Sequence, residues 1–327
     1  TKAVFLDEVP QNLFIETCYA PGGTGALRNA ISCYSSPGDK ILTADWHWAP
    51  YNVIAAELGR EVKTYTLFDE DYHFNDASFR KSLREILAVQ DQAVVIINTP
   101  AHNPTGYTFT LEDWDKVIDI FKSFPNKNII CVVDIAYLDF AGEAHAYRAF
   151  LKKLSGLPHH ILPLIAFSAS KGFTMYGMRC GALLCMAPTA ELAKEFRDAA
   201  SVASRASWSN GNHSAMAVIS KIFADDALLA KVTDERNHYM QILQERGRAF
   251  MEEANKIGLK CCPYDSGFFI TVPCENAEEV GKALQALNVF AIPLGPGIRV
   301  SVASNTVEEC RAIPGRLQQA IESVNGK

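Results

Sequence analysis

The chain has 327 residues, 48% of them apolar and 21% charged, the balance of a globular protein and not of a disordered or fibrous one. A net charge of -6 with no basic block speaks against a dedicated nucleic-acid surface, since the densest basic cluster, Lys152 and Lys153, is too small for one. Membrane insertion is not expected either, because no uncharged apolar run reaches roughly 18 residues and the N-terminus lacks a signal peptide's apolar region.

Residues 1–21 show little periodicity. Pro21-Gly-Gly-Thr-Gly-Ala-Leu-Arg28 then opens a predicted helix that a Ser-Pro-Gly-Asp turn stops near Ser36. A glycine-rich turn at a helix start offers free N–H groups and the positive dipole end to an anion, although the same pattern also suits a plain turn. It matches neither nucleotide-binding fingerprint. Strand and helix patterns then alternate: strand 40–44, helix 48–58, strand 61–67, helix 76–89, strand 93–98, helix 110–124 and strand 129–133. Strands apolar on both faces with helices between them predict a parallel sheet covered by helices. Ligands of such sheets gather beyond the carboxyl ends of the strands, and Trp48, Asn103, Asp134, Tyr137 and Lys171 all lie at or just past such ends.

The stretch Asn98-Thr-Pro-Ala-His-Asn-Pro-Thr-Gly106 reads as a turn leading to a helix capped at Thr110, with His102 a satisfied polar neighbour. Asp134 ends an otherwise apolar strand, where a carboxylate is costly unless paired; a helix N-cap is the alternative. Lys171 stands between the apolar runs 164–167 and 182–186, with no other charge nearby before Arg179. A lysine in a dry pocket has a depressed pKa and becomes an amine nucleophile for a carbonyl; a lysine lining a turn is the other reading. A helix over 190–203 and a polar loop over 204–213 follow, with Arg205 the cation in that loop. The helical pattern over 214–257 is long enough to link two domains, and segments 258–272, 277–287, 298–302 and 306–324 form a small α+β unit. Arg299 sits in the β alternation Gly297-Ile-Arg-Val-Ser-Val-Ala303, where a lone arginine is most often a surface residue. Nine cysteines without C-x-x-C spacing read as reduced thiols, and no metal-ligand spacing, Ser-His-Asp motif or internal repeat occurs.

Ser168-x-Ser170-Lys171, followed eight residues on by Arg179 and then x-Gly181, resembles the cofactor-lysine signature of the class I/II aminotransferases, fold-type I enzymes that use pyridoxal 5′-phosphate. The glycine-rich turn, Trp48 eleven residues before Gly59, Asn103-Pro-Thr-Gly106, Asp134-x-x-Tyr137 and Arg299 follow in the family's order, so the resemblance covers about 20–327. It implies an α/β fold: a large domain over 1–213 with a mainly parallel central sheet, an interdomain helix over 214–257 and a smaller α+β C-terminal domain over 258–327. It further implies that Lys171 holds pyridoxal 5′-phosphate covalently and then moves a proton as general acid and base. Gly23, Thr24, Ser168, Ser170 and Arg179 would cradle the phosphate, and Trp48, with Trp46 its nearby competitor, would stack on the ring. Asn103 and Tyr137 would bond the phenolic oxygen, and Asp134 would pair with the pyridinium nitrogen. Arg299 would take the substrate α-carboxylate. Arg205, in Arg205-Ala-Ser-Trp-Ser-Asn210, would cross into a partner's site and bind a distal carboxylate.

The activity implied is transfer of an amino group from an L-amino acid, aspartate or glutamate with aromatic residues as the alternative, to a 2-keto acid. It would run by a ping-pong mechanism in a cytoplasmic homodimer without nucleic-acid or membrane partners. Two departures stand out. Gly22 occupies the place of the usual Ser or Ala, and 21 residues precede the anion turn where family members carry several tens. The expectation is a chain that begins inside a longer protein and lacks an N-terminal arm and part of the small domain. Cofactor residues do not fix which bond breaks, so a C–S or β-lyase, a decarboxylase and the effector domain of a cofactor-binding transcription regulator stay open.

Overall fold

The computed structural model describes residues 1–326. In chain order the elements are α1 (Lys2–Phe5), β1 (Phe14–Ala20), α2 (Gly22–Tyr34), β2 (Lys40–Ala44), α3 (Pro50–Glu57), β3 (Glu61–Tyr65), α4 (Asp76–Leu87), β4 (Gln92–Asn98), α5 (Leu111–Lys122), β5 (Asn128–Asp134), α6 (Phe150–Lys153), β6 (Ile161–Ser168), α7 (Ala169–Gly172), β7 (Gly181–Ala187) and α8 (Ala190–Ser207). There follow α9 (His213–Ala224), α10 (Asp226–Ile257), β8 (Phe269–Pro273), α11 (Ala277–Ala286), β9 (Ile292–Leu294), β10 (Gly297–Ser301) and α12 (Val307–Asn325). The chain divides into two compact units, one of residues 1–99, 109–139 and 143–233, the other of residues 100–108, 140–142 and 234–327.

The first unit is built on a seven-stranded sheet of order β1-β7-β6-β5-β4-β2-β3. The ladder from β3 to β6 is parallel, and β7 and β1 run antiparallel to their neighbours, which gives the mainly parallel α/β architecture expected. Central strands β4, β5 and β6 are buried almost end to end, as strands with helices on both faces must be. On one face Leu27 and Ile31 of α2, Tyr51 and Ile54 of α3 and Phe196 of α8 pack over Ile96, Val132, Leu164 and Leu183. Local signals set the helix starts: Thr110 and Asp113 form a capping box at α5, and Pro50 occupies the first turn of α3.

In the second unit, β8, β10 and β9 form an antiparallel sheet, with β10 in the centre. Its core joins Phe250 of α10, Ile270 and Val272 of β8, Val280 and Leu284 of α11, Ile298 and Val300 of β10 and Leu317 of α12.

The structure adds one strand where the sequence shows little pattern, and it corrects two local expectations. Residues 1–21 hold a strand, β1, whose half-exposed edge position leaves a weak apolar pattern. Helix α8 runs on to Ser207, so Ser204 and Arg205 are helical and not in a loop. The span 214–257 is two helices that meet at Asp225, and the two units part inside the second, between Thr233 and Asp234.

Candidate active site

Strands β4, β5 and β6 end on Asn98, Asp134 and Ser168. The register pairs Asn98 with Asp134 and Asp134 with Ala166, while Ser168 lies beside Gly181 and Gly181 beside Ala20. The ends of these strands therefore lie side by side along one edge of the sheet.

Asp134 is 5% exposed. The Ala136 N–H donates to its Oδ1 at 3.1 Å, and the Tyr51 hydroxyl donates to its Oδ2 at 2.7 Å. Burial pushes the carboxyl above the usual aspartate value; the Tyr51 and Ala136 hydrogen bonds and the Lys171 charge work the other way. Tyr51 is fully buried, its ring edge-on to Trp48 at 5.7 Å and stacked on His47 at 6.2 Å. Burial and the adjacent carboxylate both disfavour loss of its proton, so the hydroxyl is a fixed donor.

Lys171 lies on the short helix α7, whose start is fixed by Ser168: its Oγ accepts the Ser170 N–H at 3.3 Å. The ammonium lies over two rings, Tyr137 at 5.4 Å and Tyr176 at 5.0 Å. Burial lowers the amine below the usual lysine value, Asp134 opposes the shift and Arg179 adds to it. Gly172 must lack a side chain, because a Cβ there would collide with the Asp139 carboxylate, itself held by Arg148 in a buried ion pair of 2.6 Å.

Arg179 reaches across the start of α2. Its guanidinium donates to Ser170 Oγ at 3.2 Å, the Tyr176 carbonyl at 2.9 Å and the Pro21 carbonyl at 3.2 Å. At Gly22, with φ +75°, a Cβ would lie 2.5 Å from that guanidinium; at Gly23 it would lie 3.3 Å from Ser168 Cβ. The first turn of α2, Gly22-Gly-Thr24, has no side-chain cap and opens beside Arg179, Ser168 and Ser170. A helix N-terminus beside a guanidinium and two hydroxyls is suited to a multiply charged anion.

In the second unit Asn103, 5% exposed, accepts a hydrogen bond from Arg299 Nη1 at 2.9 Å, and the same guanidinium lies 4.3 Å over the Phe269 ring. Arg299 is thus a half-buried cation oriented by an amide and an aromatic face, and not a surface residue. His102 bonds Thr105 Oγ1 at 2.8 Å, the satisfied polar neighbour expected. Arg205, exposed at the end of α8, donates to Ser209 Oγ at 2.7 Å.

The model of one family, aminotransferase class I and II, matches residues 9–317. The chain belongs to that family. Its aminotransferase relatives include the aromatic-amino-acid aminotransferase of Escherichia coli (strain K12), 30% identical over 291 residues that cover 86% of this chain and 70% of the relative. The aspartate aminotransferase of Salmonella typhi is 27% identical over 308 residues, covering 91% and 75% of the two chains. Among solved structures, an aminotransferase from Anaerococcus prevotii superposes with a TM-score of 0.95 at 34% identity over 98% of this chain and 78% of that one.

Class I and II aminotransferases depend on pyridoxal 5′-phosphate, and this aminotransferase carries residues that fit it. The glycine-lined α2 start with Arg179 suits the phosphate dianion. The lowered Lys171 amine suits a carbonyl, and Asp134, a buried carboxylate without a strong cationic partner in its own unit, suits a ring cation. The structure brings together Gly23, Thr24, Trp48, Asp134, Tyr137, Ser168, Ser170, Lys171 and Arg179 in the first unit, and Asn103 and Arg299 in the second. Sequence reasoning missed Tyr51 and Tyr176. Tyr51 had a signal: three residues after Trp48, it sits about one helical turn further on. Among the described residues no helix is long and apolar enough to cross a membrane, and no His, Cys, Asp and Glu group is arranged for a metal ion.

Proposed function

We propose that this aminotransferase moves the amino group of an acidic L-amino acid to a 2-keto acid in two half-reactions at Lys171, working as a cytoplasmic homodimer with shared sites. The observation that carries the reading is the Lys171 amine, held low by burial between the Tyr137 and Tyr176 rings, on the same sheet edge as a buried carboxylate and an anion cup. When bound, pyridoxal 5′-phosphate supplies a carbonyl that captures amines and a cationic ring that takes up the electron pair left as the substrate Cα–H bond breaks.

Around it the chain's residues have separable tasks. Gly23, Thr24, Ser168, Ser170 and Arg179 would anchor the phosphate, Trp48 would cover the ring, and Asn103 and Tyr137 would donate to the phenolic oxygen. Asp134 would hold the proton on the ring nitrogen. Lys171, as the free amine, would take the proton from the substrate Cα and return it on the far side of the amino nitrogen, at the carbon that was the cofactor's carbonyl carbon. Arg299, oriented by Asn103, forms a bidentate pair with the α-carboxylate. The names of the relatives support acidic and aromatic amino acids as donors. Nine free thiols, with no disulfide among the described residues, support a reducing compartment. Titrating the purified protein with single amino acids should convert the visible band of the bound cofactor to the pyridoxamine form, and a second keto acid should reverse it. Keto acid released without reversal would show a lyase.

Arg205 carries the substrate preference. Its guanidinium is exposed at the end of α8 with a hydroxyl as its partner, so its charge is open to a distal carboxylate presented by the partner subunit's site. Arg205→Leu should lower kcat/KM for aspartate by roughly 2 to 4 kcal/mol in transition-state terms, with phenylalanine little changed. Co-expression of the Arg205→Leu and Lys171→Ala chains should then recover aspartate turnover, since their hybrid contains one site with an intact lysine and an intact arginine. Equal losses on both substrates, or no recovery in the hybrid, would remove Arg205 from the substrate pocket.

A further inference from the structure

Arg179 is not glycine, yet its backbone sits at φ +47°, in the left-handed region that L-residues adopt only where the surroundings impose it. Those surroundings are specific. The Tyr19 hydroxyl, near the end of β1, donates to the Arg179 carbonyl at 2.8 Å. The Tyr19 hydroxyl oxygen in turn accepts the Asn212 N–H at 3.0 Å, and Asn212 Nδ2 donates to the Met178 carbonyl at 2.9 Å. Asn212 Oδ1 meanwhile accepts the Ala215 N–H at 3.1 Å and caps α9. The adjoining turn presses on the Tyr19 ring: a Cβ on Gly211 would lie 2.5 Å from it.

Arg179 is therefore tied at two points to the stretch that leads into α2. Its carbonyl is held by Tyr19, and its guanidinium donates to the carbonyl of Pro21, two residues further on. The distance between those ties fixes where the guanidinium emerges beside Gly22 and Ser170. We propose that Tyr19 and Asn212 are positioning residues of the anion cup: by locking the left-handed backbone at Arg179 they aim its guanidinium at the phosphate of the cofactor, without touching the cofactor themselves. This rests on the cofactor site proposed above.

The full chain, freed of cofactor, is titrated with pyridoxal 5′-phosphate and with pyridoxal, which lacks the phosphate, by visible absorption and tryptophan fluorescence. Tyr19→Phe keeps the ring and removes the hydroxyl. It should weaken pyridoxal 5′-phosphate binding about tenfold, the weight of one hydrogen bond, and leave pyridoxal binding unchanged. Asn212→Asp keeps the cap on Ala215 but loses the donor to Met178, so it should narrow the preference in the same sense, and it decides the matter if Tyr19→Phe does not fold. Equal weakening toward both ligands would show support of the fold alone and overturn the proposal, as would two variants indistinguishable from wild type. Wild-type protein that binds both ligands equally would overturn the anion cup itself, and this proposal with it.

Discussion

Lys171→Ala is expected to lower transamination by about 10⁴-fold or more while leaving the folded protein as stable as before. The magnitude follows from removing, in one change, both the covalent anchor and the general base proposed for Lys171, the latter alone worth up to about 10⁴. Stability should not fall, because burial already disfavours the charged amine, and an alanine at this place has no charge to desolvate. In the cofactor-free chain, capture of pyridoxal 5′-phosphate should rise with pH through the Lys171 amine's own titration, at a pH below that of a free lysine. Steady-state rates, a melting curve and borohydride reduction followed by peptide mapping check the three parts. A reduced label on any other lysine would remove Lys171 from the centre of the site, and a melting temperature many degrees lower would make the loss of activity uninterpretable as chemistry.

How much of this was legible in the sequence differs from strand to strand. Strands β4, β5 and β6 are covered on both faces, so their apolar runs are unbroken and their carboxyl ends, with Asp134 and Ser168, could be located from pattern alone. Strand β1 could not: as an edge strand it keeps Glu16 and Thr17 partly exposed, and its pairing is with β7, far along the chain. The end of α8 was hidden for a different reason. Ala203, Ser204, Arg205, Ala206 and Ser207 make a polar run with little apolar periodicity, but they propagate a helix already begun and capped at Thr189. The contacts that orient the site join residues remote in sequence, Tyr51 with Asp134 and Arg299 with Asn103, and no periodicity encodes those pairs. The resemblance to class I and II aminotransferases named most of the residues; the hydrogen bonds that hold them had to be read from the fold.

Asp134→Asn is expected to lower turnover by about 10²- to 10³-fold, the cost of losing one preorganised charge at the reacting group, and at the same time to make the cofactor-free chain more stable at neutral pH. Both effects follow from the same burial. Without a cofactor, Asp134 sits at the end of β5 with its pKa raised above that of an unfolded aspartate. The group therefore contributes most to stability below the unfolded pKa, and that contribution is lost as the pH rises through the raised folded value. At neutral pH the carboxylate is a cost, which asparagine removes. The geometry tolerates the change: the side-chain oxygen of asparagine can accept from the Ala136 N–H, and its amide can donate to the Tyr51 oxygen in place of the present O–H bond. Thermal melting of the cofactor-free chains should thus favour Asp134→Asn at neutral pH, with the gap closing as the pH falls into the carboxylate range. Tyr51→Phe should act in the opposite sense on the same group: it removes a donor that favours the carboxylate, raises the Asp134 pKa further and lowers turnover about tenfold. An Asp134→Asn protein with near-normal turnover would show that the carboxylate does not serve the ring nitrogen. One that gains no stability at neutral pH, or gains equally at every pH, would show that its burial is not what the cofactor's charge relieves.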